Sequence, residues 1–167
     1  MRKIIAAMLF ISIAFLGCRA GDGTGQAPPS PMEAKIAAQT IMSVALTQEN
    51  LDRAQLEALQ RVFIGIKAVM VNTLSENPTE LVPVTQTFLV NVDPVYQDLA
   101  EGIVQILLMR IRPYLDTTNP DLALATSYVE AVLDGAIIGI NRALTRLETH
   151  NGSQANNASK EATADTT

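Results

Sequence analysis

From Pro120 to Glu148 the chain reads PDLALATSYVEAVLDGAIIGINRALTRLE. Its apolar side chains Ala125, Tyr128, Val132, Leu133, Ala136, Ile140, Ala143 and Leu147 recur at three- and four-residue spacing, the period of an amphipathic helix. At ~1.5 Å per residue the helix is roughly 40 Å long, enough to span a domain. Gly135 and Gly139, spaced as G-x-x-x-G, leave a smooth strip on which another helix backbone could lie; in a bundle this strip is expected to serve internal packing. The segment Leu122 to Leu144 is also apolar enough to raise the question of a membrane span. Glu130 and Asp134 stand near its centre, and each acid costs about 2.5 to 3.5 kcal/mol there. The two are therefore expected on a solvated face of a globular helix.

Working outward, one device recurs ahead of each apolar run: Ser30-Pro31, Asn77-Pro78, Asp93-Pro94 and Asn119-Pro120. A side-chain oxygen can cap the helix, and proline at the first helical position has no N-H to leave unpaired. Glu33 and Glu80 complete Ser-x-x-Glu and Asn-x-x-Glu capping boxes. A further start is expected near Thr47 or Asn50, ahead of Leu51.

The first helix, about Pro31 to Leu46, carries Ala34, Ala37, Ala38, Ile41, Val44 and Ala45 on a narrow face. The second, about Leu51 to Leu74, carries Leu56, Leu59, Phe63, Ile66, Met70 and Leu74. Between Thr79 and Val92 the β-branched Val82, Val84, Thr85, Thr87, Val90 and Val92 favour a strand, and Pro83 would interrupt a helix begun at Pro78. With no second strand to pair with, a short broken helix is expected. Pro94 to about Arg112 is apolar almost all round, as for a helix enclosed by neighbours, and is expected to be the central element, ended or kinked by Pro113. The fold class is thus all-α, a compact bundle of five to six helices over residues 30–150.

The two ends read differently. Residues 151–167 hold Asn, Ser, Thr, Ala and charge with no large apolar side chain, the composition of a disordered tail. Residues 19–29 are rich in Gly, Pro and polar side chains, the composition of a flexible tether. Ahead of them stand Arg2 and Lys3, an apolar run from Ile4 to Leu16, Gly17, and the chain's one cysteine, Cys18. The run is too short to cross a ~30 Å hydrocarbon core and reads as a cleaved export signal, residues 1–17.

Gly17 followed by Cys18 resembles the lipobox of the type II signals of bacterial lipoproteins, although Phe15 and Leu16 depart from the usual Leu followed by a small residue. The resemblance covers residues 1–18. It implies cleavage before Cys18, diacylglyceryl modification of its sulfur, and anchoring to the cell envelope. Arg19, in place of the Asp that marks inner-membrane retention, implies the outer membrane. A lone exported thiol needs an explanation, and acylation supplies one.

Once Arg2 and Lys3 leave with the signal, ten basic side chains face seventeen acidic ones, a net charge near −7. Nucleic acid and anionic lipid surfaces are therefore not expected as partners. The catalytic inventory is thin. His150, the sole histidine, falls at the end of the last helix, where the dipole favours a cation. No nucleophile elbow, P-loop or zinc signature occurs, and carboxylate pairs such as Asp98 with Glu101 are ordinary on helix faces. No cofactor and no metal site are expected, and the chain is read as non-enzymatic. The expectation is a membrane-tethered module that binds an envelope protein through a groove lined by Phe63, Met70 and Met109. A carrier of an apolar ligand is the alternative, suggested by the aliphatic interior, and an enzyme ranks last.

Overall fold

A computed structural model describes residues 30–47, 51–115 and 120–164, with the side chains of the last stretch described through Thr149. Five α-helices follow in order: α1 (Pro31–Thr47), α2 (Arg53–Glu76), α3 (Leu81–Val90), α4 (Pro94–Leu115) and α5 (Leu122–Ala164), with one 3-10 turn, Pro78–Glu80, leading into α3. Among the described residues there is no strand. The chain is an all-α bundle.

The helix starts show how local chemistry sets the boundaries. Ser30 and Glu33 form the expected capping box: the Glu33 carboxylate accepts from Ser30 N at 2.7 Å and from its hydroxyl at 3.0 Å, while Glu33 N donates back to Ser30 Oγ. These bonds hold the Glu33 carboxyl below its ordinary pKa. Asp93 caps α4 by accepting from Val95 N.

Elsewhere the caps differ from expectation. The second helix is capped by Asp52, in a capping box with Gln55, so Leu51 lies outside it. Leu51 then stands just before the cap and Leu56 at the fourth helical position, the two sites of a hydrophobic staple. Asn77 makes no side-chain cap: Pro78–Glu80 winds as a 3-10 turn and the Asn77 side chain accepts from the Thr79 hydroxyl at 2.7 Å, so the Asn77–Glu80 capping box does not form. The last helix is capped by Asp121, accepting from Leu124 N at 3.0 Å, rather than from position 119, which lies outside the described residues. Pro113 does not end α4, which continues to Leu115. The backbone of α5 runs as helix to Ala164, and residues 165–167 lie outside those described.

The central element is α5 and not, as expected, the Pro94–Leu115 helix. Packing against α5 comes from α1, α2 and α4, whereas α3 packs on α2 and α4. The bundle is thus ordered α1, then α5, then the α2 and α4 pair, then α3. The apolar circumference of α4 misleads because part of it faces outward: Val95 and Met109 are exposed.

Two seams hold this arrangement. Along α2, Leu56, Leu59, Phe63, Ile66, Met70 and Thr73 are buried at alternating three- and four-residue steps, a heptad pattern suited to a long antiparallel contact. Polar ties flank it at seven-residue steps on both helices: Arg53 with Glu148, Gln60 with Asn141, and Lys67 with Asp134. Along the other side, α1 runs parallel to α5 over the glycine strip. A Cβ on Gly135 would overlap the carbonyl oxygen of Lys35, and one on Gly139 would fall 2.7 Å from Met42 Cβ and 2.9 Å from Gln39 O. The two helices touch backbone to backbone, as the G-x-x-x-G spacing suggests.

Candidate interaction surface

The residues expected to line a groove do not come together as one. Phe63 and Met70 are 0 % exposed and belong to the core, while Met109 is 55 % exposed on the outer side of α4. Gly17 and Cys18 lie outside the described residues.

Asp134 departs from the expected solvated face. It accepts from Lys67 Nζ at 2.7 Å and lies 3.8 Å from Lys35 Nζ, so one half-buried carboxylate joins α1, α2 and α5. The Leu122–Thr149 stretch is long and apolar enough to cross a membrane by length and composition alone. Within the bundle α1, α2 and α4 pack against this stretch, and its Asp134 carboxylate is tied to two of them. Among the described residues no three metal-ligating side chains converge.

Among the described residues two buried hydroxyls have no hydrogen-bond partner, those of Ser43 and Tyr128. The Tyr128 ring stacks on Tyr114 with centroids 6.0 Å apart, and burial, helped by Tyr114 and Glu33 and opposed by Arg110, pushes its pKa up. A hydroxyl stripped of water with nothing in exchange is destabilising, so Tyr128→Phe is expected to raise the unfolding free energy by about 1 kcal/mol. Urea titration checks this; a loss of stability would show that the oxygen has a partner. The raised pKa gives the sign at alkaline pH. The contribution of this proton to stability is complete below about pH 10, where the unfolded tyrosine ionises, and is lost as pH climbs through the folded value.

The strongest surface feature is α3, where sequence reasoning expected only an awkward helix. From Leu81 to Val92 the chain reads LVPVTQTFLVNV, without one charge. Leu81, Thr85 and Leu89 turn inward at four-residue spacing, and the Phe88 ring lies over Gly65 of α2, its Cζ 2.6 Å from where a glycine Cβ would stand. That leaves Val82, Val84 and Val90 outward, Val90 being 75 % exposed.

Both threonines of α3 and the Asn91 that follows it are turned onto the helix's own backbone. Thr85 donates to Leu81 O, Thr87 to Pro83 O, and the Asn91 amide to Thr87 O. Bonding back to the carbonyl four residues earlier is how threonine satisfies its hydroxyl inside a helix, at a slight cost to the helix itself. Outward stand Val82, Pro83, Val84 and Val90 with the uncharged Gln86 and Thr87, the Thr87 hydroxyl being already used. The signal was present in the sequence: the run of valines that obscured its secondary structure is the same run that forms the surface.

No protein-family model, curated protein or solved structure matches the chain.

Proposed function

We propose that this chain is a bacterial lipoprotein, anchored to the outer membrane by acyl groups on Cys18, whose helical body holds an envelope protein through the outward face of α3 and transforms no substrate. The anchor reading rests on Arg2 and Lys3, the apolar Ile4–Leu16 run and the Gly17-Cys18 pair. The observation that carries the binding reading is the charge-free, valine-rich face of α3 on a chain whose formal net charge is −5. Exposed apolar area without charge is what the buried centre of a protein interface is made of, whereas acidic side chains are depleted there.

In-cell photo-crosslinking tests the reading. A crosslinker replacing Val90 or Gln86 is expected to capture a discrete product, whereas one at Ser75, exposed on α2, is not. Val90→Asp, which places a charge on the most exposed valine of the face, is expected to abolish that product without unfolding the bundle. Equal capture from Ser75, or none from Val90 and Gln86, would refute the assignment of the face.

A further inference from the structure

We propose that the outward face of α1 rests on the zwitterionic lipid surface into which the chain is anchored. The proposal depends on the reading of Cys18 as acylated and adds to it a second, non-covalent contact with a fixed orientation.

The helix α1 is apolar on both sides. Its inner side, Ala34, Met42, Ala45 and Leu46, is buried against α5, yet Met32, Ile36 and Val44 are exposed, Met32 by 64 % and Ile36 by 53 %. The polar groups on the outward side are used internally. Thr40 donates to Ile36 O at 2.9 Å, Thr47 donates to Val44 O at 2.7 Å, and the one carboxylate there, Glu33, is occupied by the Ser30 capping box. Lys35 turns away toward Asp134. What remains outward is methionine, isoleucine, valine and satisfied threonine, with the Glu33 carboxylate, still charged, at the N-terminal end.

The length of chain ahead of α1 identifies what covers this face. Twelve residues carry the chain from Cys18 to Ser30, where the helix begins. Even fully extended they reach at most about 40 Å, so an acylated Cys18 keeps the start of α1 within that distance of the leaflet. Three partly exposed side chains would hold a free protein on a bilayer only weakly. Tethering converts the same contact into an intramolecular one at high effective concentration.

Charge selects the lipid. The face offers no cation to an anionic headgroup and the chain as a whole is acidic, so the surface it fits is zwitterionic. Position in the bundle agrees, because α5 and the α2 and α4 pair stand between α1 and α3. Laying α1 on the lipid leaves the α3 face open to a protein.

Native tryptophan is absent, so an introduced one reports alone. The full acylated chain carrying Ile36→Trp is reconstituted into phosphatidylcholine vesicles with brominated acyl chains and compared with Val90→Trp. Co-flotation with the vesicles is scored first. The expected result is that both chains float and that Ile36→Trp emission is blue-shifted and quenched several-fold more than Val90→Trp emission. A Cys18→Ser chain carrying Ile36→Trp is expected to show neither flotation nor quenching. Thr40→Trp, on the same face, repeats the measurement should Ile36→Trp lose its helical circular dichroism. Chains that float with Ile36 and Thr40 probes no more quenched than the Val90 probe overturn the contact while leaving the anchor intact. Acyl-competent chains that do not float overturn the anchor, and the contact with it.

Discussion

Phe63→Ala is expected to lower the unfolding free energy by about 3 to 5 kcal/mol, whereas Met109→Ala is expected to change it by less than about 0.5 kcal/mol. Phe63 lies on the α2 heptad face with no exposure, among the largest fully buried side chains of the core, so truncation leaves a cavity that the surrounding helices close only partly. Met109 has more than half its surface in water and leaves no cavity behind. The pair therefore separates two readings of one residue set. Side chains lining an open groove would each cost little when shortened, and a ligand or partner would be lost instead. Urea denaturation of the three chains decides: similar small changes for Phe63→Ala and Met109→Ala would contradict the placement of Phe63 in the core.

Gly135→Val is expected to cost about 3 kcal/mol and to loosen α1 selectively. In an ordinary helix interior, glycine to alanine stabilises by ~1 kcal/mol through helix propensity. Here even the first added carbon overlaps the Lys35 carbonyl oxygen, a backbone atom that can yield only if α1 moves, and valine adds two more carbons. Gly135→Ala is thus expected to be destabilising by about 1 to 2 kcal/mol, the reverse of its usual sign. Adding Gly139→Ala is expected to cost less than the sum, because both substitutions demand the same displacement of α1. Gly65→Ala makes a useful contrast. Its new methyl meets the far end of the Phe88 ring, which can pivot, so its cost should fall below that of Gly135→Ala. Hydrogen exchange that accelerates in α1 while the α2 amides stay protected would show where Gly135→Val acts. Uniform acceleration, or a stabilising Gly135→Ala, would contradict the close seating of α1 on α5.

Much of the bundle can be read from residues because local chemistry writes it twice, once in a cap and once in a period. Ser30 with Glu33 marks the start of α1, Asp93 with Pro94 marks that of α4, and the spacing from Leu56 to Met70 marks the buried side of α2. Where the cap depends on local geometry, composition is a poorer guide: Asn77 and Glu80 have the right spacing, but a 3-10 turn follows Asn77 and its side chain is taken by the Thr79 hydroxyl. Periodicity also records which side chains are apolar and not which are covered. That is why α4 resembles a central helix while leaving Val95 and Met109 in water, and why Phe63 and Met70 resemble groove residues while filling the core.

The centre is set by a quantity that hydropathy does not register, the absence of side chains at Gly135 and Gly139, which lets α1 approach α5 closely. The α3 face was hidden for a related reason. Its valines carry a conflict of secondary-structure preference, and the informative feature beside them is the missing charge.

The most direct test of the account is the mass of the N-terminal peptide of the chain isolated from the membrane fraction of an expressing bacterium. The expected product begins at Cys18, lacks residues 1–17, and carries the added mass of a diacylglyceryl group with an amide-linked acyl chain. Cys18→Ser is expected to abolish both the modification and recovery with the membrane. An unmodified thiol at position 18 in membrane-recovered protein, or a Cys18→Ser chain that stays with the membrane, would contradict it.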